Sequence, residues 1–315
     1  FYNNIGYPIS LARGAYWLGA THKKLGNNQL SKKYFEEGAK FPMTYYGQLS
    51  FNEIKPGENF ELIDQSNFDK EYEKQFNKNK LIDHIILLNE LDATKYAKDI
   101  LKHLATLNVE KGSEVLAARL STKIERYDFA IQISKQASYE KRFFNKYNYP
   151  IISTPKIINK KQMPNSEVIL AIIRQESEFD RKANSWAGAR GMMQLMKYTA
   201  KLVAKQAKLP YSISGLTQDP EYNIKLGSYY FNSLMENYNG VYPFAIAAYN
   251  AGPKRVKTWR RVNGDPAKGE LSYVNWVELI RFKETRNYVQ RVLENINVYK
   301  YMLSKEPVNI NNFFN

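Results

Sequence analysis

Apolar residues recur at the three- and four-residue steps of an α-helix along most of the chain, most clearly over residues 166–176. A start signal, Pro164-Asn165-Ser166, precedes this run. One face of the predicted helix is aliphatic and consists of Val168, Ile169, Ile172 and Ile173. The same spacing puts Glu176 on this buried face. Because burying an unpaired carboxylate is costly, Glu176 is the first candidate for a functional residue.

The burial of Glu176 favours a chemical role, and an ordinary ion pair is the alternative. A free glutamate has a pKa near 4.3. Desolvation that raises the pKa to roughly 6 would leave about one molecule in ten protonated at pH 7. This is the adjustment that a general acid needs to protonate a leaving oxygen. In the alternative, Glu176 pairs with Arg174 or Arg190, and the spacing alone leaves both interpretations open.

The rest of the chain is predicted to be helical almost throughout. Residues 11–20 and 30–39 combine large aromatic with small residues, as in tetratricopeptide-like helical hairpins. Residues 51–80 are charged and aperiodic, which predicts a linker with marginal structure, and helices resume at Leu81. Later helices are predicted to resume at 192–195 and to cover 222–238, 244–252 and a stretch from about 285. Only residues 151–152 and 274–279 suggest strands, so the predicted class is all-α.

Composition narrows the classes of function. A length of 315 residues predicts two or three domains, and no apolar run of membrane-spanning length occurs. The chain has no cysteine, and His22, His84 and His103 show no ligand spacing, so neither a metal nor a cofactor is predicted. The net charge of +15 divides into +4 for residues 1–150 and +11 for residues 151–315. A polyanion is therefore a natural partner of the second half, and both nucleic acid and carboxylate-rich glycan are candidates.

Three short segments carry a resemblance to a known family. They are RQESEFD at 174–180, GARGMMQLM at 188–196 and AAYNAGPKRV at 247–256. In this order and spacing they resemble the catalytic domain of the soluble lytic transglycosylases, which cleave bacterial peptidoglycan and are related in fold to goose-type lysozyme. The resemblance runs from about Tyr149 to the end of the chain. It implies a lysozyme-like catalytic domain at 149–315, a helical linking domain at 81–148, a linker at 61–80 and the end of a helical superhelix at 1–60.

The resemblance also implies roles for individual residues. Glu176 would be the catalytic acid and then the base. Six residues would line the sugar groove: Ser185, Gln194, Met196, Tyr249, Asn250 and Glu284. Each has an ordinary alternative: a loop hydroxyl for Ser185, an exposed amide for Gln194, a core side chain for Met196 and for Tyr249, a helix cap for Asn250 and a helix-start carboxylate for Glu284. Tyr249 stands among small residues, so its hydroxyl is predicted to hydrogen-bond Glu176 or to stabilise the oxocarbenium ion that develops on the sugar.

The mechanism that the resemblance implies needs one carboxylate. Most glycosidases use two, but Glu178 points off the Glu176 face and Asp180 stands beside Arg181 at the helix end. In lytic transglycosylases one glutamate protonates the glycosidic oxygen and then takes the proton of the muramic acid C6 hydroxyl, which gives a 1,6-anhydro end. A lysozyme-type hydrolase on the same fold is the first alternative. A non-catalytic basic helical protein that binds nucleic acid or a protein is the second, although no nucleic-acid motif occurs.

The resemblance finally implies a place and partners for the protein. The substrate would be peptidoglycan glycan strands with their stem peptides, and the compartment would be the periplasm of a Gram-negative bacterium. The chain starts with FYNNIGYP, without a Met or a signal peptide. We therefore expect a mature or trimmed product.

Overall fold

The computed structural model describes residues 6–58, 61–305 and 309–314. Within these ranges the chain forms 17 α-helices and one two-stranded antiparallel sheet, and the predicted all-α class is confirmed. The helices before the sheet are α1 (Pro8–Lys24), α2 (Asn28–Ala39), α3 (Tyr45–Ile54), α4 (Lys70–Asn77), α5 (Leu81–Glu90), α6 (Thr94–Thr106), α7 (Ser113–Lys123), α8 (Tyr127–Tyr139) and α9 (Asn145–Asn148). Residues 1–5 and 59–60, part of the predicted superhelix segment, lie outside the described residues.

The sheet and the remaining helices follow. The sheet pairs β1 (Ile157–Ile158) with β2 (Lys161–Gln162). The helices after it are α10 (Ser166–Ser177), α11 (Lys197–Ala207), α12 (Gly215–Gln218), α13 (Pro220–Asn237), α14 (Tyr242–Ala251), α15 (Pro253–Asn263), α16 (Tyr273–Glu278) and α17 (Lys283–Ser304). Short 3-10 turns lie at Val109–Lys111, Pro266–Lys268 and Ile310–Phe313.

The first three helices pack as hairpins, as their small residues predict. A methyl group at Gly19 of α1 would lie 2.8 Å from the ring of Phe35 in α2, so the absence of a side chain lets the two helices approach. Helix α3 then packs against α17. The backbone N–H of Tyr45 donates to Glu294 at 2.6 Å, and the hydroxyl of Tyr46 bonds Glu278.

The segment at 61–80 has more structure than predicted, because it contains helix α4. The side chain of Asp69 caps this helix by accepting from the N–H of Tyr72. Tyr72 and Phe76, four residues apart, are both buried in the cluster formed by α4 to α9. The charged residues between them hide this helical spacing. The predicted domain limits at 60, 80 and 148 stay predictions.

Two other segments differ from the sequence prediction. Residues 192–195, expected to resume a helix, form a turn, because Gly191 and Gln194 adopt left-handed backbone angles, with φ of 73° and 47°. Residues 274–279, a suggested strand, lie largely in helix α16, which Ser272 caps by accepting from the N–H of Asn275. Residues 151–152 are irregular, and the strands lie a few residues later.

The largest core joins α10, α13, α14 and α17 with α3. Helix α10 lies along α17, and its Ile169 and Ile173 are completely buried, as are Val289 and Leu293 of α17. The aliphatic face predicted for residues 168–173 is therefore buried. In the part of the chain that the structure describes, no helix is long and apolar enough to cross a bilayer.

Candidate active site

Helix α10 ends immediately after Glu176, and a sharp turn there separates the neighbouring carboxylates. Glu178 and Phe179 both have left-handed backbone angles, with φ of 52° and 68°. The turn sends Glu178 toward α8, where its carboxylate pairs with Lys135 and accepts from Gln132 at 3.3 Å. Glu176 stays on the side of α17. The two glutamates, two residues apart, thus face different parts of the molecule.

The carboxyl group of Glu176 has one hydrogen-bond donor from α17. Its Oε1 accepts from the hydroxyl of Tyr288 at 2.6 Å. Burial raises the pKa of Glu176 to about 7, the Tyr288 bond opposes that rise, and the negative charge of Glu284 adds to it. A pKa near neutrality suits a group that gives up a proton and takes one back.

The ion-pair alternative for Glu176 does not hold for Arg174. The Arg174 guanidinium is buried and donates to the carbonyl and the side-chain oxygen of Asn148, at 2.9 and 2.6 Å. It also stacks over the ring of Tyr149, at 4.2 Å from the centroid. Over the residues that the structure describes, Glu176 forms no salt bridge with Arg174 or with Arg190. Among the described residues, the hydrogen bond from Tyr288 is therefore not accompanied by an ion pair at Glu176.

Asp180 lies away from Glu176. Its Oδ1 accepts from the N–H of Lys182 at 2.9 Å. Burial raises its pKa, and the charged groups that act on it are Asp128, Arg126 and Lys182. These contacts direct Asp180 toward the start of α8.

Residues 184–195 form a compact loop beside the end of α10. Asn184 bridges to Arg190, and Arg190 bridges to Leu195. Asn223 of α13, fully buried, accepts from the N–H of Met193 at 2.8 Å and donates to the carbonyls of Arg190 and Leu216, both at 3.0 Å. This residue fixes the turn, and the sequence analysis missed it.

Two of the predicted groove residues, Ser185 and Gln194, belong to this loop, and a third, Met196, directly follows it. Ser185 Oγ accepts from the N–H of Ala189 at 2.9 Å, so the hydroxyl shapes the loop. The amide of Gln194 donates to the carbonyls of Ala183 and Gly191, at 3.2 and 2.8 Å, and it lies in a turn instead of the predicted helix. Met196 immediately precedes α11 and is 43% exposed, so it is not a core side chain. Within the described residues, none of the three bonds Glu176.

Tyr249 and Asn250 lie in the last turn of α14. The hydroxyl of Tyr249 donates to the carbonyl of Met193 at 2.8 Å, and the predicted bond to Glu176 is made by Tyr288 instead. Burial raises the pKa of Tyr249 and the negative charge of Glu176 adds to the rise, so the Tyr249 hydroxyl is near Glu176. Asn250 Oδ1 accepts from Thr285 at 2.7 Å, which joins α14 to α17.

Glu284 lies in the first turn of α17, one turn before Tyr288, and is exposed. Its effect on the pKa of Glu176 shows that the two carboxyls are near each other. The structure thus brings Glu176, Tyr249 and Glu284 together. The unpredicted member is Tyr288, and a helical step of four residues from Glu284 is the signal that could have found it. Among the described residues no cluster of side chains has the composition of a metal site.

Fold and site together define the class, an all-α, lysozyme-like protein with a helical superhelix. Residues 154–272 match the family model described as the transglycosylase SLT domain. The soluble lytic murein transglycosylase of Escherichia coli K12 is 41% identical over 148 residues, which are 47% of this chain and 22% of the relative. A putative soluble lytic murein transglycosylase of Haemophilus influenzae is 42% identical over 141 residues, 44% of this chain and 22% of that protein.

Solved structures extend the similarity over nearly the whole chain. The crystal structure of the 70 kDa soluble lytic transglycosylase of Escherichia coli covers 94% of this chain with a TM-score of 0.78 and 26% identity. An inactive mutant of the lytic transglycosylase Slt of Pseudomonas aeruginosa covers 95%, with a TM-score of 0.76 and 26% identity. The chain covers 47% of each of these structures. The predicted resemblance to soluble lytic transglycosylases is confirmed.

Proposed function

We propose that the protein is a peptidoglycan lytic transglycosylase in which Glu176 acts first as acid and then as base. The observation that carries this proposal is the environment of Glu176. The carboxyl group of Glu176 has a pKa of about 7 and accepts a hydrogen bond from Tyr288, and Glu176 itself lies in the segment 154–272 that matches the SLT domain. The names of the relatives supply the substrate, murein. The +11 charge of residues 151–315 suits a glycan that bears carboxylates.

In the first step, protonated Glu176 gives its proton to the glycosidic oxygen between MurNAc and GlcNAc as the bond from C1 breaks. With a pKa near 7, about half of the molecules carry this proton at neutral pH. The hydrogen bond from the hydroxyl of Tyr288 then stabilises the carboxylate of Glu176.

In the second step, the Glu176 carboxylate takes the proton of the MurNAc C6 hydroxyl, whose oxygen bonds to C1. The product is a 1,6-anhydromuramic acid end, and no water is consumed. Because the substrate supplies its own nucleophile, holding the sugar in place accounts for much of the rate. The predicted groove residues Ser185, Gln194, Met196, Tyr249, Asn250 and Glu284 remain candidates for that task.

A lysozyme-type hydrolase is the second candidate, and one observation favours it. A hydrolase would need a carboxylate to activate water or to attack C1. Glu178 pairs with Lys135, and Asp180 accepts from Lys182. Glu284 is exposed and near Glu176, so hydrolysis would depend on it. A non-catalytic binding protein has less support, because it would have no use for the raised pKa of Glu176.

The products of a peptidoglycan digest in heavy-oxygen water distinguish the two enzymes. We expect muropeptides that end in anhydromuramic acid, lighter by one water and without label. Glu176→Gln should release neither product, and Glu284→Gln should still form the anhydro end. Labelled reducing ends as the primary product, lost in Glu284→Gln, would make the protein a hydrolase. We place the activity in the periplasm of a Gram-negative bacterium, with glycan strands and stem peptides as partners.

A further inference from the structure

Two large aromatic side chains, one in the loop 184–195 and one just after it, are exposed to solvent. Trp186 is fully exposed and Tyr198 is 84% exposed. The buried tryptophans Trp259 and Trp276, at 3% and 0%, show the usual environment of this side chain. Exposed aromatic side chains of this size occur in binding surfaces, because they offer a large rigid area at low entropic cost.

Backbone pairing directs the part of the loop that carries Trp186 toward the start of α11, where Tyr198 lies. Arg190 bridges to Asn184 on one side and to Leu195 on the other, and both bridges are antiparallel. The chain on the Ala189 side of Arg190 therefore runs beside the residues that follow Leu195. Trp186 lies at the tip of the loop, and Tyr198 lies two residues beyond Met196, in the first turn of α11.

The loop that carries Trp186 is held firmly in place. The N–H of Ser185 donates to the carbonyl of Ala189 at 2.9 Å, and Gly188 donates to the carbonyl of Ser185 at 2.9 Å. At the base of the loop, Ser177 of α10 donates to the carbonyl of Met192 at 2.8 Å. Ser177 directly follows Glu176. The position of Trp186 is thus fixed relative to the catalytic carboxyl group by hydrogen bonds and not by its own packing.

The surface next to Tyr198 combines apolar and basic side chains. Lys201 and Leu202 lie one helical turn after Tyr198 and are exposed, as is Lys197. An indole or phenol face matches the C–H face of a sugar ring, and ammonium groups attract the carboxylates of a muramic acid chain. Trp186 directly follows Ser185, and Tyr198 is two residues after Met196, so both aromatic residues lie next in the chain to predicted groove residues.

We propose that Trp186, assisted by Tyr198, binds a sugar ring of the glycan strand outside the groove that the family motifs define. The ligand is an extended peptidoglycan strand, and the added contact favours long strands over short oligomers. This inference rests on the proposed function. It assigns to Trp186 a role in substrate length and not in bond cleavage.

The test compares Trp186→Ala with wild type on glycan oligomers of increasing length. We expect KM for long strands to rise about tenfold with kcat unchanged, as for loss of an aromatic anchor, while KM for the shortest cleaved oligomer stays the same. Trp186→Tyr should restore most of the loss. Tyr96→Ala, which removes a 64% exposed aromatic side chain from α6, serves as the matched control and should change nothing.

A second measurement does not depend on cleavage. In Glu176→Gln, iodide should quench the fluorescence of Trp186, and long glycan strands should protect it. Equal KM values for Trp186→Ala and wild type at every length, with no protection, would overturn the inference, while cleavage by wild type would leave the proposed function intact. A wild-type protein that neither cleaves nor binds glycan would instead reject the proposed function. Protection by phosphatidylglycerol vesicles and not by glycan would make this a lipid-binding surface and would also overturn the inference.

Discussion

Glu176 and Glu294 both lie against the same core, yet their surroundings differ. Glu294 of α17 is 4% exposed, pairs with Arg291 at 2.6 Å and accepts the N–H of Tyr45 at 2.6 Å. Burial raises its pKa, and the charge and hydrogen bond of Arg291 oppose that rise. Glu176 has a neutral hydroxyl as its donor and a second carboxylate nearby.

This difference distinguishes a carboxylate that stabilises the fold, Glu294, from one that is suited to proton transfer, Glu176. The ion pair of Glu294 with Arg291 lies within α17, and the hydrogen bond from the N–H of Tyr45 to Glu294 joins α17 to α3. Glu176, with a pKa of about 7 and no ion pair among the described residues, is near its protonation midpoint at neutral pH and can exchange a proton with a ligand. We therefore expect mutations at the two glutamates to have opposite effects on activity and on stability.

The largest expected effect is on activity. Glu176→Gln should lower turnover of peptidoglycan by about 10²–10⁴-fold, because the amide can neither give nor take the proton. Release of muropeptides measures the loss, and binding of glycan oligomers should survive. Near-normal lysis would remove Glu176 from the mechanism.

The same substitution should raise stability at high pH. The folded-state pKa of Glu176, about 7, lies above the value of a free glutamate, so its contribution to stability is full below about pH 4 and is lost as pH rises through 7. We expect Glu176→Gln to exceed wild type by on the order of 2–3 kcal/mol at pH 9 and to match it at pH 4, by urea denaturation. An equal gain at both pH values would mean that ionisation is not the cause.

Glu294→Gln should lower stability and leave turnover nearly unchanged, the opposite of Glu176→Gln. The substitution leaves the Arg291 guanidinium without its anion, and because Arg291 keeps some contact with solvent we expect a loss of about 2 kcal/mol in the free energy of unfolding. Turnover by the folded fraction should stay within a few-fold of wild type. A stable but inactive Glu294→Gln variant would contradict the distinction between the two carboxylates.

Tyr288→Phe tests the donor of Glu176. The hydroxyl lowers the pKa of Glu176, so its removal should move the alkaline limb of kcat/KM upward from about 7, by roughly one pH unit. Tyr249→Phe is the matched control, because that hydroxyl donates to the carbonyl of Met193 and not to Glu176. An unchanged limb in Tyr288→Phe would mean that another group sets the profile.

The smallest effect is expected at the neighbouring Glu178. Its partner Lys135 is substantially exposed, so Lys135→Met should cost less than about 1 kcal/mol and should leave the pH profile unchanged. The same denaturation and rate measurements serve here. A shifted pH profile would show that Glu178 does communicate with Glu176.

Local patterns in the sequence predicted the helices and the position of Glu176. The spacing of residues 168–173 fixes which face of α10 is buried, and Gly252, with φ of 84°, ends α14 where the Gly-Pro signal predicts. The turn at residues 191–195 was missed, because apolar residues are compatible with a helix and with a buried turn. What decides between them is the contact with Asn223, some 30 residues away.

Tyr288, the hydrogen-bond partner of Glu176, was missed for a similar reason. Tyr249 stands in a motif and attracts attention, whereas Tyr288 lies in an ordinary-looking amphipathic helix. The contact of Tyr288 with Glu176 spans 112 residues of chain, and the local sequence hints at it only through the helical step of four residues from Glu284. The helix α4 was missed because its two buried aromatic residues are surrounded by charges.

The contact between α3 and α17 has a consequence for how the site comes into being during folding. Tyr45 and Glu294 are 249 residues apart, so closing this loop is among the entropically most demanding events in the chain. Because the entropy of closing this loop opposes the contact, we expect it to form late. Before α17 docks, Glu176 would be hydrated, would lack Tyr288 and would have the acidity of a free glutamate. In a partly folded chain Glu176 would therefore be ionised at neutral pH, and the proposed cleavage of glycan would become possible only after the last long-range contacts form.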